Sequence, residues 1–181
     1  MGCTETQSYS TEVEASSEIA NLKTTFNGYL TNINSKIFLT GFFQGPIQTL
    51  MTLSYVKIEN FDTSNCPTND KYINDLIDMN NNIDLFSSNA LTFASSEILS
   101  MMGTLNNEHI GLTGNENWQS STNTYKNCYQ SNLEELKTKT STLLNTMNTN
   151  YKTPIQATIS VLDTATPNNN PTLEINTCLP R

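Results

Sequence analysis

Ile19-Ala-Asn-Leu22-Lys-Thr-Thr-Phe26-Asn-Gly-Tyr29-Leu-Thr-Asn-Ile33-Asn-Ser-Lys-Ile37 is the stretch that decides the fold. Its apolar residues Ile19, Leu22, Phe26, Tyr29, Ile33 and Ile37 step by three and four, the spacing that lays side chains along one face of an α-helix. Strict alternation, the mark of a half-buried strand, is absent from it. The pattern predicts a first helix from Thr11 to about Leu39. Gly41, Gly45 and Pro46 then read as an interruption, with Pro46 suited to the first turn of a second helix running to about Asn60. Within that piece, residues 53–58 also fit a strand.

Asp62 to Asn69, which contains Cys66-Pro67, reads as a loop. A third helix is predicted from about Asp70 to Met102, with Ile73, Leu76, Ile77, Ile83, Phe86, Ala90, Phe93, Ala94 and Ile98 on its apolar face. Asn80, Asn81 and Asn82 weaken it, because asparagine competes for backbone hydrogen bonds. Gly103 to Gly114 reads as a second loop. A fourth helix is predicted from about Asn117 to Tyr151, and Thr153-Pro154 as the cap and first-turn proline of a short last helix to about Leu162. The expectation is an all-α antiparallel helical bundle of about four to five helices. Residues 1–10 form an N-terminal extension, 11–163 the bundle, and 164–181 a Pro/Asn-rich C-terminal tail.

At 181 residues the chain is long enough for one domain with a sizeable core. Only 36% of it is hydrophobic and 14% charged, so the surface must be dominated by uncharged Asn, Ser and Thr. Low charge density separates this composition from that of disordered chains. A net charge of −8, eight scattered lysines and a single arginine, Arg181, exclude nucleic acid as a partner, which requires clustered Lys and Arg. No run reaches the ~18 apolar residues of a membrane span.

Chemical motifs are sparse. His109 is the only histidine and sits in a Gly/Asn-rich stretch that reads as a solvated loop, without a GxSxG nucleophile elbow anywhere. The run Asp78-Met-Asn80-Asn-Asn82-Ile-Asp84 supplies the first positions of a calcium loop. Ile83 stands where the loop needs glycine and Asn89 where it needs glutamate, so it reads as a polar helix face. The expectation is no catalytic residue, no cofactor and no metal site. The aromatics Phe26, Tyr29, Phe38, Phe42, Phe43, Phe86 and Phe93 could alternatively line a cavity for a small apolar ligand.

Two features point to a compartment. The chain has 26 asparagines and 44 serines plus threonines. Composition alone would create roughly six Asn-x-Ser/Thr glycan acceptors, yet none exists. Only a protein that traverses the secretory route has reason to avoid the triplet, and avoidance fits a surface that packs closely. The four cysteines Cys3, Cys66, Cys128 and Cys178 are even in number and form no CxxC pattern, so two disulfides are expected, Cys66 with Cys128 the favoured pair. Residues 1–18 lack an apolar signal core, so this reading expects the leader to be encoded upstream of Met1.

The opposing signal is Met1-Gly2-Cys3-Thr4-Glu5-Thr6, which satisfies the N-myristoylation pattern, with Cys3 placed for a second acyl chain. The first four residues resemble the start of inhibitory-type heterotrimeric G-protein alpha subunits. The GxxxxGK[ST] phosphate loop of such subunits is absent, so no nucleotide site carries over. The functional expectation is thus a secreted, non-enzymatic structural or packaging protein that assembles with itself or another protein. The alternatives are a secreted carrier of a small apolar ligand or receptor-binding bundle, and a peripheral protein anchored to the cytosolic face of a membrane through Gly2 and Cys3.

Overall fold

A computed structural model describes residues 4–8, 11–53, 71–113, 123–165 and 172–176. The fold is an all-α bundle. Five α-helices make up most of the described chain: α1 (Glu12–Leu53), α2 (Lys71–Ser88), α3 (Ser95–Thr113), α4 (Asn123–Thr146) and α5 (Thr153–Thr164). A π-helical segment, Met147–Lys152, connects α4 to α5. Two short strands, β1 (Thr4–Ser8) and β2 (Thr172–Asn176), pair antiparallel with Thr4 opposite Asn176 and Ser8 opposite Thr172. Residues 4–8 and 172–176 therefore form a two-stranded ribbon, and β2 runs beside α5.

The chain divides into two compact units. One comprises residues 1–37, 89–92 and 145–181, and buries Ala15, Phe26, Ile33, Ala90, Met147, Ile155 and Leu162. The other comprises 38–88 and 93–144 and buries Phe43, Ile47, Ile73, Leu76, Ile83, Leu105, Tyr129, Leu133 and Leu136 among others.

Helix α1 starts where Thr11 caps it: its hydroxyl accepts the Glu14 N–H at 3.1 Å. Glu12 and Glu14 in the first turn suit the positive end of the helix. The helix does not end near Leu39 but runs unbroken through Gly41, Gly45 and Pro46. Its buried positions explain why. Ile33, Lys36, Thr40, Phe43, Ile47 and Leu50 are all buried and step by three and four across the expected break. Tertiary burial along this stripe offsets the weak intrinsic propensity of two glycines and a proline.

The third predicted helix is two helices. It breaks at Asn89–Ala94, later than the asparagine triplet. The Ser87 and Ser88 hydroxyls bond back to the carbonyls of Asp84 and Leu85, each at 2.8 Å, and loosen the last turn of α2. Thr92 N–H donates to Asn89 O at 2.8 Å, and Asn32 of α1 donates its amide to Leu91 O at 2.8 Å. Glu97 reaches back to the Ala94 N–H at 3.2 Å and opens α3. Phe86 and Phe93 stack across the turn with centroids 4.8 Å apart. The predicted loop after Gly103 is helical as far as Thr113, held by Ile98 and Leu105 on a buried face.

The last helix begins at Thr153 with Pro154 in its first turn, as expected, but Thr153 does not cap it, and the π segment joins it to α4 without a break. Both ends of the π segment keep helical dihedrals, and no side chain caps α5. A proline ring clashes with the carbonyl four residues earlier. One wide turn ahead of Pro154 avoids that clash, and the Thr153 N–H donates to Asn148 O, five residues back.

Candidate interaction surface

The outer face of α1 carries Phe38 and Phe42, one helical turn apart. They are 63% and 57% exposed, and their rings pack on each other with centroids 4.7 Å apart. Aromatic rings contribute most when buried, so a paired, outward-facing set on a regular helix has no role in the chain's own core. Gly41 and Gly45 lie on the same outward side, and no heavy atom comes within 4 Å of where a Cβ would stand on either. From Ile37 to Leu53 the helix has no charged residue. Leu85, Leu99 and Ile110, in the same unit, are also more than half exposed.

The aromatics offered above as an alternative cavity lining divide between the two units. Phe38 and Phe42 point to solvent, Phe43, Phe86 and Phe93 belong to one unit, and Phe26 and Tyr29 to the other. A groove of about 310 Å3 between α2 and α3 is lined by Asp75, Asp78, Met79, Asn82, Ser100, Met101 and Thr104. It is open, with two carboxylates and two methionines on its walls. The calcium-like run is fully helical within α2, so its oxygens spread around the helix. Asp78 and Asn82 face the groove, Asn80 is buried, and Asp84 accepts a bond from Lys139 at 2.6 Å. No cluster of three potential metal ligands occurs among the described residues.

His109 is neither solvated nor in a loop. It lies on α3, half-buried, with Nδ1 2.7 Å from the Tyr129 hydroxyl and the two rings stacked 6.0 Å apart. Burial lowers the His109 pKa and raises that of the Tyr129 phenol, so both groups are neutral near pH 7. Whichever tautomer the ring adopts, the short contact ties α3 to α4. Next to it, Glu108 Oε1 accepts from Lys71 at 2.9 Å, while Oε2 is buried without a partner. The Lys71 ammonium, also bonded to Asp75, is held above its ordinary pKa by these two carboxylates.

Cys128 is buried on α4 and disulfide-bonded. Gly2, Cys3, Cys66 and Cys178 lie outside the described residues. No helix of the described residues is long and apolar enough to cross a membrane.

Many surface hydroxyls are engaged within their own helices. Thr24, Thr25, Thr31, Thr49, Thr138 and Thr142 donate to the carbonyl four residues earlier, as does the Asn27 amide. This lets a Thr-rich helix stay helical, and it removes those donors from bonding to other molecules. The sequence named no such surface site; the signal that could have found it was the outward phase of Phe38 and Phe42 against the Ile33–Leu50 stripe.

No family model, no curated protein and no solved structure matches this chain.

Proposed function

We propose that this is a secreted, non-enzymatic structural or packaging protein that works by assembling with itself or with a partner protein. The observation that carries the reading is the exposed Phe38–Phe42 pair on an uncharged stretch of α1. Apolar surface of this kind is commonly a contact site. The complete lack of glycan acceptors in a chain so rich in Asn, Ser and Thr supports passage through the secretory route to a closely packed state. The disulfide at Cys128 is in keeping with an oxidising compartment.

The test is association of the full-length, oxidised chain made in a secretory host. Sedimentation velocity over a wide concentration range should reveal species larger than one chain, and the secreted protein should carry no free thiol. A protein that is fully reduced in its native compartment and monomeric at every concentration, alone and in the fluid it is secreted into, would remove the basis of the proposal.

A further inference from the structure

The two glycines on the outer face of α1 need a reason. Each costs a helix interior about 1 kcal/mol relative to alanine. Nothing in the chain approaches within 4 Å of the missing Cβ at Gly41 or Gly45, so internal packing does not require them. Their neighbours on the same face are the exposed rings of Phe38 and Phe42. The order Phe38, Gly41, Phe42, Gly45 spans two turns with spacings of three, one and three, which keeps all four on one side of the helix.

That order is complementary to its own reverse. When two such helices lie antiparallel about a two-fold axis midway between positions 41 and 42, Phe38 stands opposite Gly45 of the second copy and Phe42 opposite Gly41. Every ring then meets a gap, and every gap receives a ring. A parallel arrangement would set ring against ring and leave the glycine gaps empty. Isologous pairing of this kind is the commonest way a soluble chain forms a dimer.

Charge limits where a second copy can dock. Two copies carrying −8 each repel overall, so a contact between them must fall where neither presents a charge. Residues 37–53 of α1 provide seventeen consecutive uncharged positions, and this face offers no charge by which a different protein would be chosen. Building on the assembly reading, we propose that the Phe38–Gly45 face of α1 is the site at which a second copy of this chain docks, antiparallel, with its rings over the glycines. Four partly exposed phenylalanines bury about 500 Å2 in such a contact. A stable interface needs roughly 1,000 Å2, so the association is weak and concentration-dependent.

The experiment is sedimentation of the full-length oxidised chain from about 1 μM to about 1 mM, a span that brackets weak dimerisation. Wild type should pass reversibly from monomer to dimer. An added Cβ at Gly45 meets nothing within 4 Å, so Gly45→Leu should keep or raise helicity and melting temperature while filling the gap and weakening the dimer by about tenfold or more. Phe42→Ala removes a ring and should weaken the dimer similarly, and it decides the matter should Gly45→Leu disturb folding. A wild-type dimer unaffected by both changes overturns this face as the contact and leaves the assembly reading standing. A wild type that stays monomeric throughout overturns the proposal and removes self-association from the broader reading as well.

Discussion

The His109 imidazole nitrogen Nδ1 lies 2.7 Å from the Tyr129 hydroxyl, joining α3 to α4 inside one unit. The bond survives protonation of the ring, since Nδ1–H would then donate to the phenol oxygen. What opposes the charge is burial, which lowers the His109 pKa below its ordinary 6.5. The unfolded chain therefore binds this proton more readily than the folded one. Stability from this group is fully present above pH 6.5 and is lost as the pH falls from there through the lowered folded pKa. His109 is the only histidine, so melting temperature should decline as the pH falls below about 6.5, and His109→Gln should flatten that part of the profile. An unchanged slope in the variant would show that the decline comes from carboxylates. Tyr129→Phe should cost about 1–2 kcal/mol of stability through the lost buried bond.

Asn80 should be a liability to stability. Its side chain is 2% exposed, and neither its oxygen nor its nitrogen has a hydrogen-bond partner. It follows Leu76 by one turn and precedes Ile83 by three residues, both buried on the same side of α2. Asn80→Leu replaces an unpaired amide by an apolar group of similar volume and should stabilise the fold by about 1–3 kcal/mol in denaturant titration. A loss of stability would mean that the amide is satisfied by bound water.

Gly28 and Gly103 stand in the interiors of α1 and α3, exposed, with nothing within 4 Å of an added Cβ. Gly28→Ala and Gly103→Ala should each raise stability by about 0.5–1 kcal/mol, by lowering the entropy of the unfolded chain. At this chain length each should raise the melting temperature by about 1–4 °C. A fall in melting temperature at either site would show that the glycine serves a contact.

The class of fold was legible because Phe26 and Ile33 stand on one helical face and their neighbours keep the period. The continuity of α1 was not legible, and the reason is local. The buried stripe passes through Lys36 and Thr40, polar residues that interrupt the apolar pattern just before Gly41, Gly45 and Pro46. Propensity and periodicity failed at the same place, and only burial of Phe43, Ile47 and Leu50 carries the helix through. The break at residues 89–94 was hidden for the opposite reason: Phe86, Ala90, Phe93 and Ile98 sustain a helical spacing that the serine hydroxyls and Thr92 overrule. The pairing of β1 with β2 joins segments more than 160 residues apart, beyond the reach of any local pattern. The Phe38–Phe42 face was read as lining because spacing alone does not tell an inward stripe from an outward one.

Cys128 should resist alkylation until a reductant is added, since it is buried and disulfide-bonded. The strand register favours particular partners. Thr4 stands opposite Asn176, Cys3 precedes Thr4 by one residue, and Cys178 follows Asn176 by two. The expected connectivity is Cys3 with Cys178, leaving Cys66 for Cys128. Peptide mapping without reductant should recover both linked pairs, and reduction should cost about 2–4 kcal/mol per bridge. A peptide joining Cys128 to Cys3 or Cys178 would refute the assignment.

The missing glycan acceptors make a final prediction about where the surface is covered. Asn148 is exposed on the π segment, and Thr149 follows it, so Asn150→Thr installs an acceptor with one exposed substitution. This site is not among residues 38–45 and lies in the other compact unit. The fold should be unchanged by circular dichroism and melting temperature, because the side chain at 150 is exposed and the helical path is kept. If acceptors are absent because the whole surface packs against neighbours, the glycosylated chain should still form the weak dimer but fail to enter any larger assembly. Enzymatic removal of most of the sugar should restore that assembly, which separates bulk from the substitution itself. A glycosylated chain that assembles to the same size as wild type would confine packing to the α1 face, and the lack of acceptors elsewhere would then have no origin in assembly.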